Sequence, residues 1–317
     1  MLNHPGTGTC FNEYGIVRES DILSVHRNGF QVVIFVAIPI GVAFLWKSCI
    51  GRYWLETTMS KCSRLFMAII VVAAFAVDTG LAHETLIKIA NPNPKKGETI
   101  VAEITNSHVI IDASEEVTDP ELAAVSIIQD GISTPATVTA DPVALVSRIE
   151  AVFPGEGTAW LALHRKPQLY SQTPEGLKEG DSDSIKGTKV LFTNKYEKFA
   201  KVLLNAAASD QSFAQPIGHL LEIVPETNPA DLRVGDELKI RILYDGKPVF
   251  APVTASYDGF TKRENSYAFY ASPEGPDAIF VKVHQPGFWV IMVNYKTSGG
   301  KGIRTHSLNA ALEFEVK

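Results

Sequence analysis

Cysteine is scarce in this sequence. The 317-residue chain has three, Cys10, Cys49 and Cys62, and none follows residue 62. The long remainder can hold neither a disulfide framework nor a thiolate metal site. Any metal there must be held by histidine, carboxylate or backbone groups. A basic excess is lacking too, since the formal net charge is −6. That excludes the broad cationic surface a phosphate backbone needs, and it leaves no polybasic patch for an anionic membrane. Catalytic signatures are also missing. There is no Gly-x-Ser-x-Gly elbow, no His-Glu-x-x-His helix and no phosphate-cradling loop ending in Lys-Ser/Thr. Gly155-Glu156-Gly157 is too short for a dinucleotide fingerprint, and the adjacent Glu115 and Glu116 would point apart on a strand. Trp160, Trp289, Phe288 and Tyr295 read as core rather than as a sugar platform. The chain is therefore expected not to be an enzyme.

Long apolar runs are few, and both lie near the N-terminus. Phe30–Trp46 is uncharged between Arg27 and Lys47, short for a membrane span, and interrupted by Pro39. Leu65–Val77 is shorter, yet it has the three-part form of a secretory signal. Met59 and basic Lys61 and Arg64 precede the apolar centre, and Asp78-Thr79-Gly80-Leu81-Ala82 follows it, with Gly80 and Ala82 placed for a cut before His83. On this reading residues 1–58 are an over-long N-terminal extension carrying the run 30–46, and 59–82 is a signal peptide. The alternative is that both runs, 30–46 and 65–77, insert as a membrane hairpin or anchor. Cys62 precedes the apolar centre, so it is not placed for lipoprotein cleavage. Either way, residues 83–317 are expected outside the cytoplasmic membrane, in a periplasmic or secreted protein.

The rest of the chain, of ordinary 45% hydrophobic composition, reads as all-β. Leu238, Ile240, Ile242 and Tyr244 alternate with mostly charged residues, the period of a half-buried strand, and Asp245-Gly246 ends it with turn chemistry. Val253–Tyr257, Ala278–Val283, Trp289–Tyr295 and Leu312–Val316 continue the pattern. A related layout precedes it: Gly97–Ile104 matches Gly235–Ile242, and Pro154-Gly155 precedes Trp160–Leu163 as Pro286-Gly287 precedes Trp289–Met292. The expectation is two tandem β-sandwich domains, 83–214 and 215–317. Pro167–Lys189 reads as a long exposed loop and Gln215–Pro229 as the connection between the domains. Tyr196, Phe199 and Leu203 have helical spacing, but Lys201–Leu204 fits a strand equally well.

A family pattern runs through these residues. Gly218-His219-Leu220-Leu221-Glu222-Ile223-Val224-Pro225 is followed by Asn228-Pro229, Leu232, Gly235-Asp236, Asp245-Gly246-Lys247-Pro248 and Pro286-Gly287-Phe288-Trp289. Ala82-His83-Glu84 with Pro94 and Gly97-Glu98-Thr99 supplies an opening, and Tyr170–Gly176 a middle segment. This order resembles a periplasmic domain-of-unknown-function family, number 4198, that carries the label of a NikM-like component of nickel/cobalt uptake. The resemblance covers roughly residues 82–317. It implies a signal peptide, an Ig- or transthyretin-like C-terminal sandwich and, loosely, nickel or cobalt. The sequence departs from the family pattern at Ser107-His108, where members tend to have Gly-His, and at His219, where they usually lack histidine.

Histidines carry the remaining chemistry. Cleavage before His83 would leave an α-amino group and an imidazole able to chelate one ion; deprotonating the amine at neutral pH costs only about 1 kcal/mol. Cu(II) and Ni(II) favour such nitrogen ligands. His108 is the expected second ligand, and His164, His306 and Glu84 are weaker candidates. His219 and His284 read as structural or solvated. The leading reading is an exported metal-binding accessory of nickel, cobalt or other transition-metal uptake, working with a membrane transporter and without nucleic acid. The alternatives are an envelope carbohydrate- or protein-binding β-sandwich module without metal, and a copper redox protein with an N-terminal histidine site.

Overall fold

A computed structural model describes residues 22–27, 30–35 and 107 as backbone and residues 84–106, 117, 121–206, 210–272 and 279–317 in full. Two compact units are present, Met1–Gly80 and Leu81–Lys317. In the first, β1 (Ile22–Arg27) pairs antiparallel with β2 (Phe30–Phe35), so the apolar run 30–46 opens as a strand. Among the described residues no helix is long and apolar enough to cross a membrane. The rest of that run, the signal-like segment 59–82, His83 and His108 lie outside the described residues.

The second unit is built from strands in three layers. One outer sheet has the order β3 (Glu84–Ile89), β4 (Thr99–Ser107), β8 (Val146–Val152), β7 (Thr137–Asp141). In the other outer sheet, β13 (Glu237–Tyr244) pairs with β12 (Leu221–Pro225), β14 (Lys247–Pro248) and β17 (Ile279–Lys282). The middle sheet runs β16 (Phe269–Ala271), β15 (Val253–Tyr257), β18 (Gly287–Ser298), β19 (Thr305–Val316), β11 (Phe192–Leu204), β9 (Ala159–Thr173), β5 (Leu122–Gln129), β6 (Ile132–Pro135). A short β10 (Gly176–Glu179) folds back on β9. The two halves meet at β11 and β19, which are parallel.

Side chains alternate across a strand, so the two cores show which face meets which layer. Leu161, Leu163, Ala200, Val202, Val290 and Ala311 pack with Ile87 and Ile104 of the first outer sheet. Trp160, Phe199, Trp289, Ile291, Leu312 and Phe314 pack with Ile223 and Ile240 of the second. The outer sheets therefore cover opposite faces of the middle one, and its central strands are buried on both. That is why Ala159–Leu163 and Trp289–Val293 are unbroken apolar runs instead of alternating ones. The two sandwiches share their middle layer. The chain passes from one half to the other around residues 214 and 215, between β11 and β12, and the sheet runs on across that point.

The internal repeat is visible in backbone hydrogen bonds. Gly97 N–H donates to Phe153 O at 2.9 Å, and Phe153 N–H donates back to Glu98 O at 2.9 Å. In the second half Gly235 N–H donates to Val283 O at 2.8 Å, and Val283 N–H to Asp236 O at 3.0 Å. Both glycines are left-handed, with φ of +79° and +102°. Alanine at either position is expected to cost about 1–2 kcal/mol, because its Cβ disfavours that backbone. Urea unfolding would show this as a lower midpoint at constant slope. No cost at either glycine would mean these corners tolerate other backbone shapes.

Two expected irregular segments are partly strand. Pro167–Lys189 has the Gly, Ser and Asp content of a loop, yet β9 continues through Thr173 and turns into β10. Pairing with Phe192–Tyr196 of β11 gives that polar stretch its hydrogen bonds, which composition does not reveal. The connection Gln215–Pro229 likewise contains β12. The helical spacing at Tyr196, Phe199 and Leu203 resolves as β11.

Candidate functional site

The site grows from an irregularity in the middle sheet. β11 keeps regular register with β19, but its register with β9 shifts between Tyr196 and Lys198. Gln168 pairs with Tyr196 and Arg165 with Lys198, leaving Lys166 and Pro167 opposite the single residue Glu197. Pro167 has no N–H for the ladder, and a bulge of this kind re-aims the side chain beside it.

Glu197 is buried and flanked by a histidine from each neighbouring strand. His164 Nε2 on β9 lies 2.7 Å from Glu197 Oε1 in a hydrogen bond. His306 Nε2 on β19 lies 2.9 Å from Oε2, and Lys195 Nζ lies 3.7 Å from the same oxygen. His306 Nε2 and Glu197 Oε2 thus face each other as a buried pair, short of the alignment of a regular hydrogen bond. The His164 ring stacks on Phe199 at 4.6 Å, and His219 leans on the same phenyl ring at 5.1 Å.

Electrostatics sorts these groups into charged and neutral. Burial works to raise the Glu197 carboxyl, but the hydrogen bond with His164 and the charges of Lys195, His164 and His306 hold it below the usual range. Burial and the Lys195 charge push His306 down, against the pull of Glu197. Burial, with Lys201 and His164 nearby, pushes His219 down to about 3. The centre is thus an ionised carboxylate, with His306 and His219 held toward their neutral forms.

Imidazole with carboxylate is a donor set for Ni(II), Cu(II) or Zn(II) rather than for Ca(II) or Mg(II). Two donors about 2.1 Å from an ion and at right angles lie about 2.9 Å apart, and His306 Nε2 and Glu197 Oε2 are 2.9 Å apart. That spacing is compatible with a shared ion as well as with the direct ion pair. A complete shell is not preformed: among the described residues no group of three or more His, Cys, Asp or Glu side chains is arranged to hold one. His164 sits instead on the other carboxylate oxygen.

Of the sequence candidates, the structure brings together His164 and His306, on a carboxylate the sequence did not single out. Glu197 lies in Lys195-Tyr196-Glu197-Lys198, which carries no motif; only strand register gives it two histidine neighbours. Glu84 belongs to a different cluster on the opposite face of the middle sheet. Burial raises its carboxyl, against the charge of Lys198 and a hydrogen bond with Asn309. His83 and His108, outside the described residues, adjoin Glu84 and Ser107, which are opposite each other in β3 and β4. His284 packs edge-on against Tyr257 and Trp289, away from Glu197.

A family model described as Domain of unknown function (DUF4198) matches residues 81–297, a stretch that includes His164 and Glu197 and ends before His306. No curated protein matches the chain. Among solved structures, the fibronectin(III)-like modules of Clostridium thermocellum CbhA are 11% identical, over 73% of this chain and 94% of theirs, at a TM-score of 0.19. Titin domains z1z2 in complex with telethonin are 14% identical over 75% and 98%, at 0.16. The D0-D1 domain of Intimin is 12% identical over 72% and 96%, at 0.18.

Proposed function

Given that the chain belongs to the DUF4198 family of domains of unknown function, we propose that it is a non-enzymatic, exported cell-envelope protein that binds a transition-metal ion at Glu197 and His306. The observation that carries this reading is the close approach of a buried imidazole and a buried carboxylate, His306 Nε2 and Glu197 Oε2 at 2.9 Å. His164 is the side chain nearest to hand as a third donor once it leaves Oε1, with water completing the shell. The donor set suits Ni(II), Cu(II) or Zn(II), the signal-like segment 59–82 supports export, and a membrane transporter is the partner such a carrier serves.

Titration of the exported protein with Ni(II), Co(II), Cu(II) and Zn(II) tests this. One-to-one binding tighter than about micromolar is expected. His306→Ala and Glu197→Gln should each weaken it more than about tenfold. Binding that survives both substitutions but is lost on blocking the N-terminal amine would place the ion at His83. No binding tighter than about micromolar would sink the metal reading and leave the sandwich as a protein- or glycan-binding module.

A further inference from the structure

The Glu197 site contains a cation of its own. Lys195 is two residues before Glu197 on β11, so both side chains leave the same face of the strand. In the parallel ladder Lys195 stands opposite His306. Its Nζ lies 3.7 Å from Glu197 Oε2, the same oxygen that faces His306 Nε2 at 2.9 Å. At 3.7 Å the lysine is held to the carboxylate by charge rather than by a hydrogen bond. Its side chain is 28% exposed where that of Glu197 is 7% exposed. A four-carbon stem with its head at the edge of the site can swing to water without disturbing the sheet.

Neighbouring lysines are committed elsewhere. Lys198 points to the opposite face, with Nζ 3.5 Å from Asn106 Oδ1. Lys201 is fully buried against Glu222 at 2.6 Å. Lys195 is thus the lysine placed to balance Glu197 from the solvent side.

We infer that Lys195 is the resident counter-ion of this site: without metal its ammonium balances Glu197, and an entering metal ion displaces it toward solvent. This rests on the metal reading above and adds regulation to it. A divalent ion and an ammonium cannot both sit against one oxygen at close range, because like charges at such distances repel strongly away from bulk water. Lysine therefore sets a threshold on occupancy. Stray cations that bind weakly fail to displace it, and an ion with strong nitrogen affinity succeeds through His306.

The sign of one substitution tests the idea. Lys195→Met keeps the apolar stem and removes the charge, so it should tighten Ni(II) or Cu(II) binding about tenfold, the size of one modest charge–charge term. Lys195→Arg keeps the charge and should leave affinity within about twofold of the original. His306→Ala in the same titration should weaken binding. A merely structural lysine predicts the opposite sign, because losing it would loosen the site and weaken binding. Thermal melts of the metal-free variants establish that each is folded. Weaker or unchanged binding in a folded Lys195→Met protein, with His306→Ala still damaging, would overturn the counter-ion role and leave the metal site standing. Absence of binding in both the original protein and Lys195→Met would overturn both.

Discussion

Replacing Lys201 by methionine is expected to cost about 3 kcal/mol or more, seen as a lower urea midpoint with little change in slope. Lys201 Nζ lies 2.6 Å from Glu222 Oε1, and the two side chains are 2% and 1% exposed. The ammonium also sits 4.4 Å from the centre of the Trp160 ring. Burial lowers the Lys201 pKa, and the Glu222 charge and hydrogen bond oppose that. Removing the lysine strands the carboxylate in the interlayer space. Glu222 keeps two backbone donors, Ile217 N–H at 2.8 Å and Gly218 N–H at 3.0 Å, which keeps the cost toward the lower end for broken buried pairs. Combining Lys201→Met with Glu222→Gln retains an acceptor for one of those N–H groups without the charge and should recover part of the loss. A single variant as stable as the original, or a double variant no better than the single, would show that the pair is not what the fold depends on there.

This pair has a counterpart related by the repeat. Read from either edge, the middle sheet has the same order of equivalent strands, with parallel β11 and β19 at its centre. From β11, Lys201 reaches Glu222 on β12, the first strand of the other half's outer sheet. From β19, Glu313 reaches back the other way, its Oε1 accepting from Ile87 N–H of β3 at 2.8 Å. Each central strand thus sends one ionisable side chain into the outer sheet of the opposite half. Apolar packing is tolerant of sliding, whereas a buried charge has few acceptable positions. These two contacts are suited to fix how the halves register against each other.

Much of this was legible from residues alone. Glu237–Tyr244, with one wet face, alternates and is legible with its observed bounds. The Gly97 and Gly235 corners were legible because positive φ demands glycine. Strands buried on both faces lose the alternating signal, which is why Lys201–Leu204 could not be told from a helix. The shared sheet was invisible for the same reason: no local pattern marks β11 as the neighbour of β19, more than a hundred residues away. The Glu197 cluster depends on that long-range pairing plus a one-residue bulge. Three residues spaced across the chain carry no signal until register places them on adjacent strands. His83 and His108 drew attention because a cleavage site and a strand end are local features.

Stability should fall as pH rises from about 6.5 to about 8, and Glu313 should be the main cause; below about 6.5 the opposite shift of His219, held down to about 3, offsets it. Its side chain is fully buried among Val202, Val290 and Ala311, with Oε2 lacking a hydrogen-bond partner. Burial raises its pKa from 4.5 to about 8, against the backbone hydrogen bonds of Ile87, of Glu313 itself and of Lys201. The folded chain therefore holds a proton that the unfolded chain releases near 4.5. For an acid shifted upward, the stabilisation is fully present below the unfolded value and is lost as pH climbs through the folded one. At about 1.4 kcal/mol per pH unit, this shift corresponds to a ceiling on the order of 5 kcal/mol. Glu84, also raised by burial, adds in the same direction. Lys201 does not offset the effect, because its side chain leaves the other face of the sheet toward Glu222. Glu313→Gln keeps an acceptor for Ile87 N–H and has no proton to lose, so urea midpoints of that variant should vary far less between about pH 6.5 and 9. It should match the original protein in acid and exceed it in base. Parallel pH curves for the two proteins would show that Glu313 is not the group whose proton the fold retains.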